Sequence, residues 1–117
     1  MVKKSYRIIW SDEAVSRAHE IYEWNKEHYS EQRASKIFSS ILDAVEGIPD
    51  SPFGNPRCYE LEEFGEALRK ILVEKTFWIV YEIATAEIIV HEIIHGARDP
   101  KIYQALSSQI KSFRKNK

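Results

Sequence analysis

Three apolar runs nearly touch in the second half of the chain: Leu68 to Lys75, Phe77 to Ala84 and Glu87 to His95. They are rich in β-branched and aromatic residues and are parted by one or two polar positions, which predicts an antiparallel meander with central middle strands. Upstream, Tyr6-Arg7-Ile8-Ile9-Trp10 has the make-up of a short strand, and it stops at Ser11-Asp12-Glu13, a polar cap with acids in the first helical turn. Ala14, Ala18, Ile21, Tyr22 and Tyr29 then fall near helical spacing, with charged residues between them. Ser30 caps a second helix on which Ala34, Ile37, Phe38, Ile41, Leu42, Val45 and Ile48 repeat at three and four residues until Pro49 closes it. So short a link predicts an antiparallel helical hairpin.

Two prolines and a Gly-Asn pair make residues 50–56 a loop. A weak strand is predicted from Arg57 to Leu61, and Glu62-Glu63-Phe64-Gly65 turns into the meander. Beyond Lys101, residues Ile102, Tyr103, Leu106, Ile110 and Phe113 predict a closing helix with a frayed basic tail over 114–117. The fold class is α+β: one domain over residues 1–117, a small antiparallel sheet packed on an N-terminal helical hairpin, in the order β-α-α-β-β-β(-β)-α. The hairpin needs one face of the sheet. The other face and the corner at Arg98 are expected to be free for function.

Composition narrows the functional classes. A formal net charge of -1 gives no basic excess for gripping a nucleic-acid backbone, so any such site has to be local. Cys58 is the single cysteine, which excludes an intrachain disulfide and suits a reducing compartment. Its candidacy as a nucleophile has no neighbouring His in sequence to support it. No run approaches the ~20 apolar residues of a membrane span, and a cytoplasmic location without membrane contact is expected.

His91 and His95 would share a metal on a helix, but on a strand they stand ~13 Å apart. No metal and no cofactor is expected. His95, Arg98 and Tyr103 gather near one Gly- and Pro-bounded corner, where an imidazole can move protons and a guanidinium can hold an anion. Equally, Arg98 and Asp99 can pair or cap the last helix. Arg69 and Lys70 point to opposite faces of a strand, and a turn near Lys75-Thr76 places Thr76 opposite His95, with Arg69 ~20 Å from the corner. Glu60, Glu62, Glu63 and Glu66 form an acidic turn, and Trp24 and Trp78 suit a core or a partner interface better than base stacking.

The ordered set Tyr6-Arg7-Ile8-Ile9-Trp10-Ser11 with Ala14, Ala34 and its Ile-rich helix, Leu68-Arg69-Lys70-Ile71-Leu72, Ile79-Val80-Tyr81-Glu82-Ile83 and Ile93-Ile94-His95-Gly96-Ala97-Arg98-Asp99 resembles the RelE/ParE superfamily of type II toxin–antitoxin toxins. The resemblance covers nearly the whole chain and is closer to the ParE-like branch at the His-Gly-Ala-Arg-Asp corner. It implies a growth-inhibiting toxin of a plasmid-stabilisation system, neutralised by a cognate antitoxin, as a homodimer or a toxin–antitoxin hetero-oligomer. It further implies binding of a protein target such as DNA gyrase, with Arg69, His95 and Arg98 as target-binding residues. RelE-like members instead cut mRNA on the ribosome without a metal. Under that alternative His95, Arg98 and Tyr103 are catalytic, but the matched basic positions hold Arg69, Ile71, Trp78 and Arg98, two of them apolar. A decayed toxin that only binds its antitoxin is the third possibility.

Overall fold

The computed structural model describes residues 5–96 and 99–116. Strand β1 (Arg7–Trp10) leads into helix α1 (Asp12–His28) and helix α2 (Glu31–Gly47). Short 3-10 turns at Ile48–Asp50, Pro52–Gly54 and Tyr59–Ala67 then carry the chain to β2 (Leu68–Val73), β3 (Phe77–Ile83), β4 (Glu87–His95) and helix α3 (Pro100–Lys115). The cap at Ser11 does two jobs. Its Oγ accepts the Ala14 N–H at 3.1 Å and donates to the His91 carbonyl at 2.9 Å, so the residue that starts α1 also ties it to β4. Ser30 accepts the Arg33 N–H and starts α2 in the same way. Tyr29, expected on the apolar stripe of the first helix, instead follows its last turn and is exposed.

The strand order is β1-β4-β3-β2. The meander is antiparallel, and β1 adds to it in parallel, with Arg7 opposite Glu87 and Trp10 opposite Val90, so the whole sheet is mixed. A parallel neighbour is open to β1 because two helices and two strands separate it from β4 in sequence. The β2–β3 turn centres on Glu74 and Lys75, at φ 54° and 56°, and the Thr76 N–H closes it on the Val73 carbonyl at 3.1 Å. Between β3 and β4, Phe77 stands opposite His95, one residue from the pairing expected for Thr76, because the ladder shifts by one residue between Val80 and Tyr81. On β4 an extra residue, His91, sits in a bulge between the pairs Val80↔Glu92 and Tyr81↔Val90.

Both faces of the sheet are covered. Ala14, Ala18, Ile37, Ile41 and Val45 of the hairpin pack on Val73, Phe77, Ile79, Val90 and Ile93. On the opposite face Leu61, Leu68, Val80 and Ile94 bury Tyr103, Leu106 and Ile110 of α3. That face was expected to be free; the apolar stripe of α3 needs a partner as much as the hairpin does, and it takes this one. The predicted strand from Arg57 to Leu61 shrinks to a single bridge, Arg57↔Arg69, before the chain winds into the 3-10 turns. Nor does the C-terminus fray at Arg114: α3 runs to Lys115, and Arg114 donates to buried Glu82 at 2.7 and 3.1 Å.

Candidate interaction surface

The residues singled out for function are distributed over the molecule. His95 ends β4 exposed, its ring 5.3 Å from Phe77, on the face that carries the hairpin. Tyr103 is buried on the α3 face among Cys58, Leu61 and Val80. Burial, then the charges of Glu60 and Cys58, push its hydroxyl up to about 12, so it holds its proton at neutral pH. His95 and Tyr103 therefore belong to opposite faces of the sheet and form no acid–base pair. Arg98 lies outside the described residues. Asp99 accepts the Lys101 N–H at 3.0 Å and caps α3, one of the two structural roles the corner allowed.

Arg69 is half-buried and engaged. Its Nε donates to the Glu66 carbonyl at 2.8 Å and its Nη1 to the Asn55 carbonyl at 3.1 Å, so it pins the loop that precedes β2. Tyr81, opposite it on β3, holds the same loop: its hydroxyl donates to the Pro52 carbonyl at 2.6 Å and accepts from Asn55 at 3.1 Å. Ile71 packs in the hairpin-side core and Trp78 against the α3-side cluster. Of the positions matched to the basic set of RelE-like enzymes, Trp78 thus lies on the face opposite Ile71 and its alternate neighbour Arg69, whatever their charge. Lys70 covers the Trp78 ring at 4.5 Å and pairs with Glu60 at 3.2 Å.

His95 opens instead onto a groove of about 790 Å³ between the hairpin and the β2–β3 turn. Ile21, Ile37 and Phe77 line its apolar part, and Trp24 and Tyr29, 51% and 61% exposed, stand at the tip of the hairpin. Trp24 stacks on His28 at 4.2 Å, and Arg33 lies over Tyr29 at 4.5 Å. Arg17 is held at the rim by buried Glu92 at 3.1 Å. Such a surface, with aromatic and arginine side chains around an apolar floor, is suited to a protein partner. Its sequence signal was a tryptophan at a polar position of a helix, next to a Tyr at the helix break.

A second missed feature lies under α3. His91 Nε2 is 2.7 Å from Glu82 Oε1, and Arg114 holds the other carboxylate oxygen. Burial alone would raise the Glu82 carboxyl, but the bonds to His91 and Arg114 outweigh it and bring it below its ordinary value. His91 is thus a satisfied core histidine. Among the described residues no cluster of His, Cys, Asp or Glu is arranged to hold a metal, and no helix is long and apolar enough to cross a membrane.

Comparison with known proteins agrees with this architecture. No curated protein sequence gives a significant match. A solved structure described as the chromosomal ParDE TA system from P. aeruginosa superposes with a TM-score of 0.64 at 18% identity, over 80% of this chain and 96% of that one. Residues 8–100 match the family model of the ParE toxin of type II toxin-antitoxin system, parDE. From the first strand through β4 and into the corner beyond it, this chain belongs to the ParE toxin family of type II toxin–antitoxin systems.

Proposed function

We propose that this ParE-type toxin inhibits growth by gripping a protein target, with DNA gyrase the target its branch suggests, and that a cognate antitoxin neutralises it in a hetero-oligomer that stabilises a plasmid. The division of the candidate residues between two faces supports binding over cutting: His95 borders an exposed aromatic groove, while Tyr103 is buried and protonated on the inner face of α3. A metal-free ribonuclease needs its proton carriers and its cations around one phosphate. The proposed target-binding residues are His95, at the end of β4, Arg98 and Arg69, which also holds the loop before β2.

Inducing the protein while following DNA breaks and translation together tests this. Accumulating DNA breaks with slow loss of translation are expected. Immediate translation arrest with mRNA cut at ribosomal sites would overturn the binding mechanism, and unimpaired growth would overturn an active toxin altogether. Arg98→Ala is expected to relieve growth inhibition while leaving the circular dichroism spectrum unchanged.

A further inference from the structure

Arg57 and Arg69 meet across the isolated bridge beside β2. The Cys58 N–H donates to the Leu68 carbonyl at 2.8 Å and the Lys70 N–H to the Pro56 carbonyl at 3.0 Å, so the hydrogen bonds flank the two arginines. They are a non-hydrogen-bonded antiparallel pair, the kind whose Cα atoms lie ~4.5 Å apart and whose side chains leave on the same side. Like charges placed directly opposite each other destabilise a sheet. Yet among the described residues neither guanidinium is in an ion pair, and Arg57 Nε is buried with no hydrogen-bond partner. An unpaired buried donor also costs stability.

Other contacts hold the two forks in place. Arg57 lies over the Tyr59 ring at 5.2 Å and Arg69 over Phe53 at 5.0 Å, and both aromatics are exposed. Stacking occupies the faces of the guanidinium planes and leaves in-plane N–H groups to donate. For Arg69 the Glu66 and Asn55 carbonyls fix the plane further.

We infer that Arg57 and Arg69 form a clamp for a carboxylate side chain presented by a protein partner. The carboxylate would accept from both forks and neutralise the charge pair, while the exposed Phe53 and Tyr59 rings flank it. Arginine and tyrosine beside an apolar ring are the residues that dominate protein interfaces. A nucleic-acid strand needs a succession of cations, and a chain with net charge -1 and two isolated guanidiniums does not provide one. The partner's class rests on the protein-binding function proposed above.

The test follows the Nε–H resonances of Arg57 and Arg69 in the intact protein during titration with a Glu-rich helical peptide, sodium acetate, inorganic phosphate or a single-stranded RNA oligomer. The peptide is expected to move both resonances and to out-compete phosphate and RNA. Arg57→Gln is expected to weaken peptide binding roughly tenfold, the scale of one charge-assisted hydrogen bond, with an unfolding midpoint unchanged or raised because the like-charge pair is gone. Peptide that moves neither resonance, undiminished binding by R57Q, or tighter binding of RNA or phosphate would each overturn the clamp. A growth-inhibiting protein that ignores the peptide overturns the clamp and keeps the toxin; one that binds the peptide without inhibiting growth does the reverse.

Discussion

Glu74 and Lys75 both adopt positive φ, a conformation that costs an L-residue with a side chain roughly 1 kcal/mol or more. Glu74 recovers some of this through the Ser40 hydroxyl, which donates to its carboxylate at 2.6 Å, whereas Lys75 has no such bond among the described residues. Lys75→Gly is therefore expected to stabilise the protein by about 0.5–1 kcal/mol, read as a higher urea midpoint with an unchanged slope. A lower midpoint would show that the turn is not under strain. Gly65 has the converse role: at φ 72°, ψ -153° it occupies a region essentially closed to other residues, which is why a glycine stands at the kink within Tyr59–Ala67. Cys58 is buried, and burial, followed by the Glu60 charge, pushes its thiol up to about 11. At pH 8 its thiolate fraction is then on the order of one in a thousand. Labelling by a disulfide reagent is expected to proceed only at the rate of unfolding; rapid modification of the native protein would contradict this burial.

Helix α3 is held by two kinds of contact, an apolar stripe along its middle and the Arg114–Glu82–His91 chain at its end. The folded Glu82 carboxyl titrates below its ordinary value, so the unfolded chain takes up that proton first as the pH drops. The stability from this group is complete above the ordinary carboxylate range, near pH ~4.3, and is lost as pH falls through it toward the lower folded value. Glu82→Gln should flatten the acid limb of a stability–pH curve; an unaltered limb would assign acid sensitivity to other carboxylates. Arg114→Met is expected to cost about 1–2 kcal/mol at pH 7, the exposed part of the arginine limiting the loss. Little of this was legible in the sequence. The stripe of Tyr103, Leu106 and Ile110 announced the helix, but periodicity does not say which surface it meets. Glu82 and His91 sit in apolar runs as polar exceptions, and it is the pairing of β3 with β4, Glu82 opposite Ile89, that sets them side by side under α3.

Across the whole molecule the sheet divides the surface into a hairpin side, with the groove at His95, and an α3 side closed by packing. The hairpin and the meander could be read from spacing because each is built from local pattern, whereas the groove forms only where residues far apart in sequence meet. Trp24 faces solvent at the hairpin tip, so Trp24→Ala should change stability by less than about 1 kcal/mol while weakening co-purification with the antitoxin and growth inhibition. Full toxicity and full co-purification in that variant would remove the groove from the binding surface. The pairing of β1 with β4 joins residues about 80 positions apart, with Arg7 also reaching the Glu87 carboxylate at 2.9 Å. Such a contact adds little local order and pays its loop-closure entropy only when the rest of the sheet exists. On a translating ribosome the first strand must wait, unpaired, until β4 has emerged, and throughout that interval its edge is open to whichever neighbouring chain reaches it first.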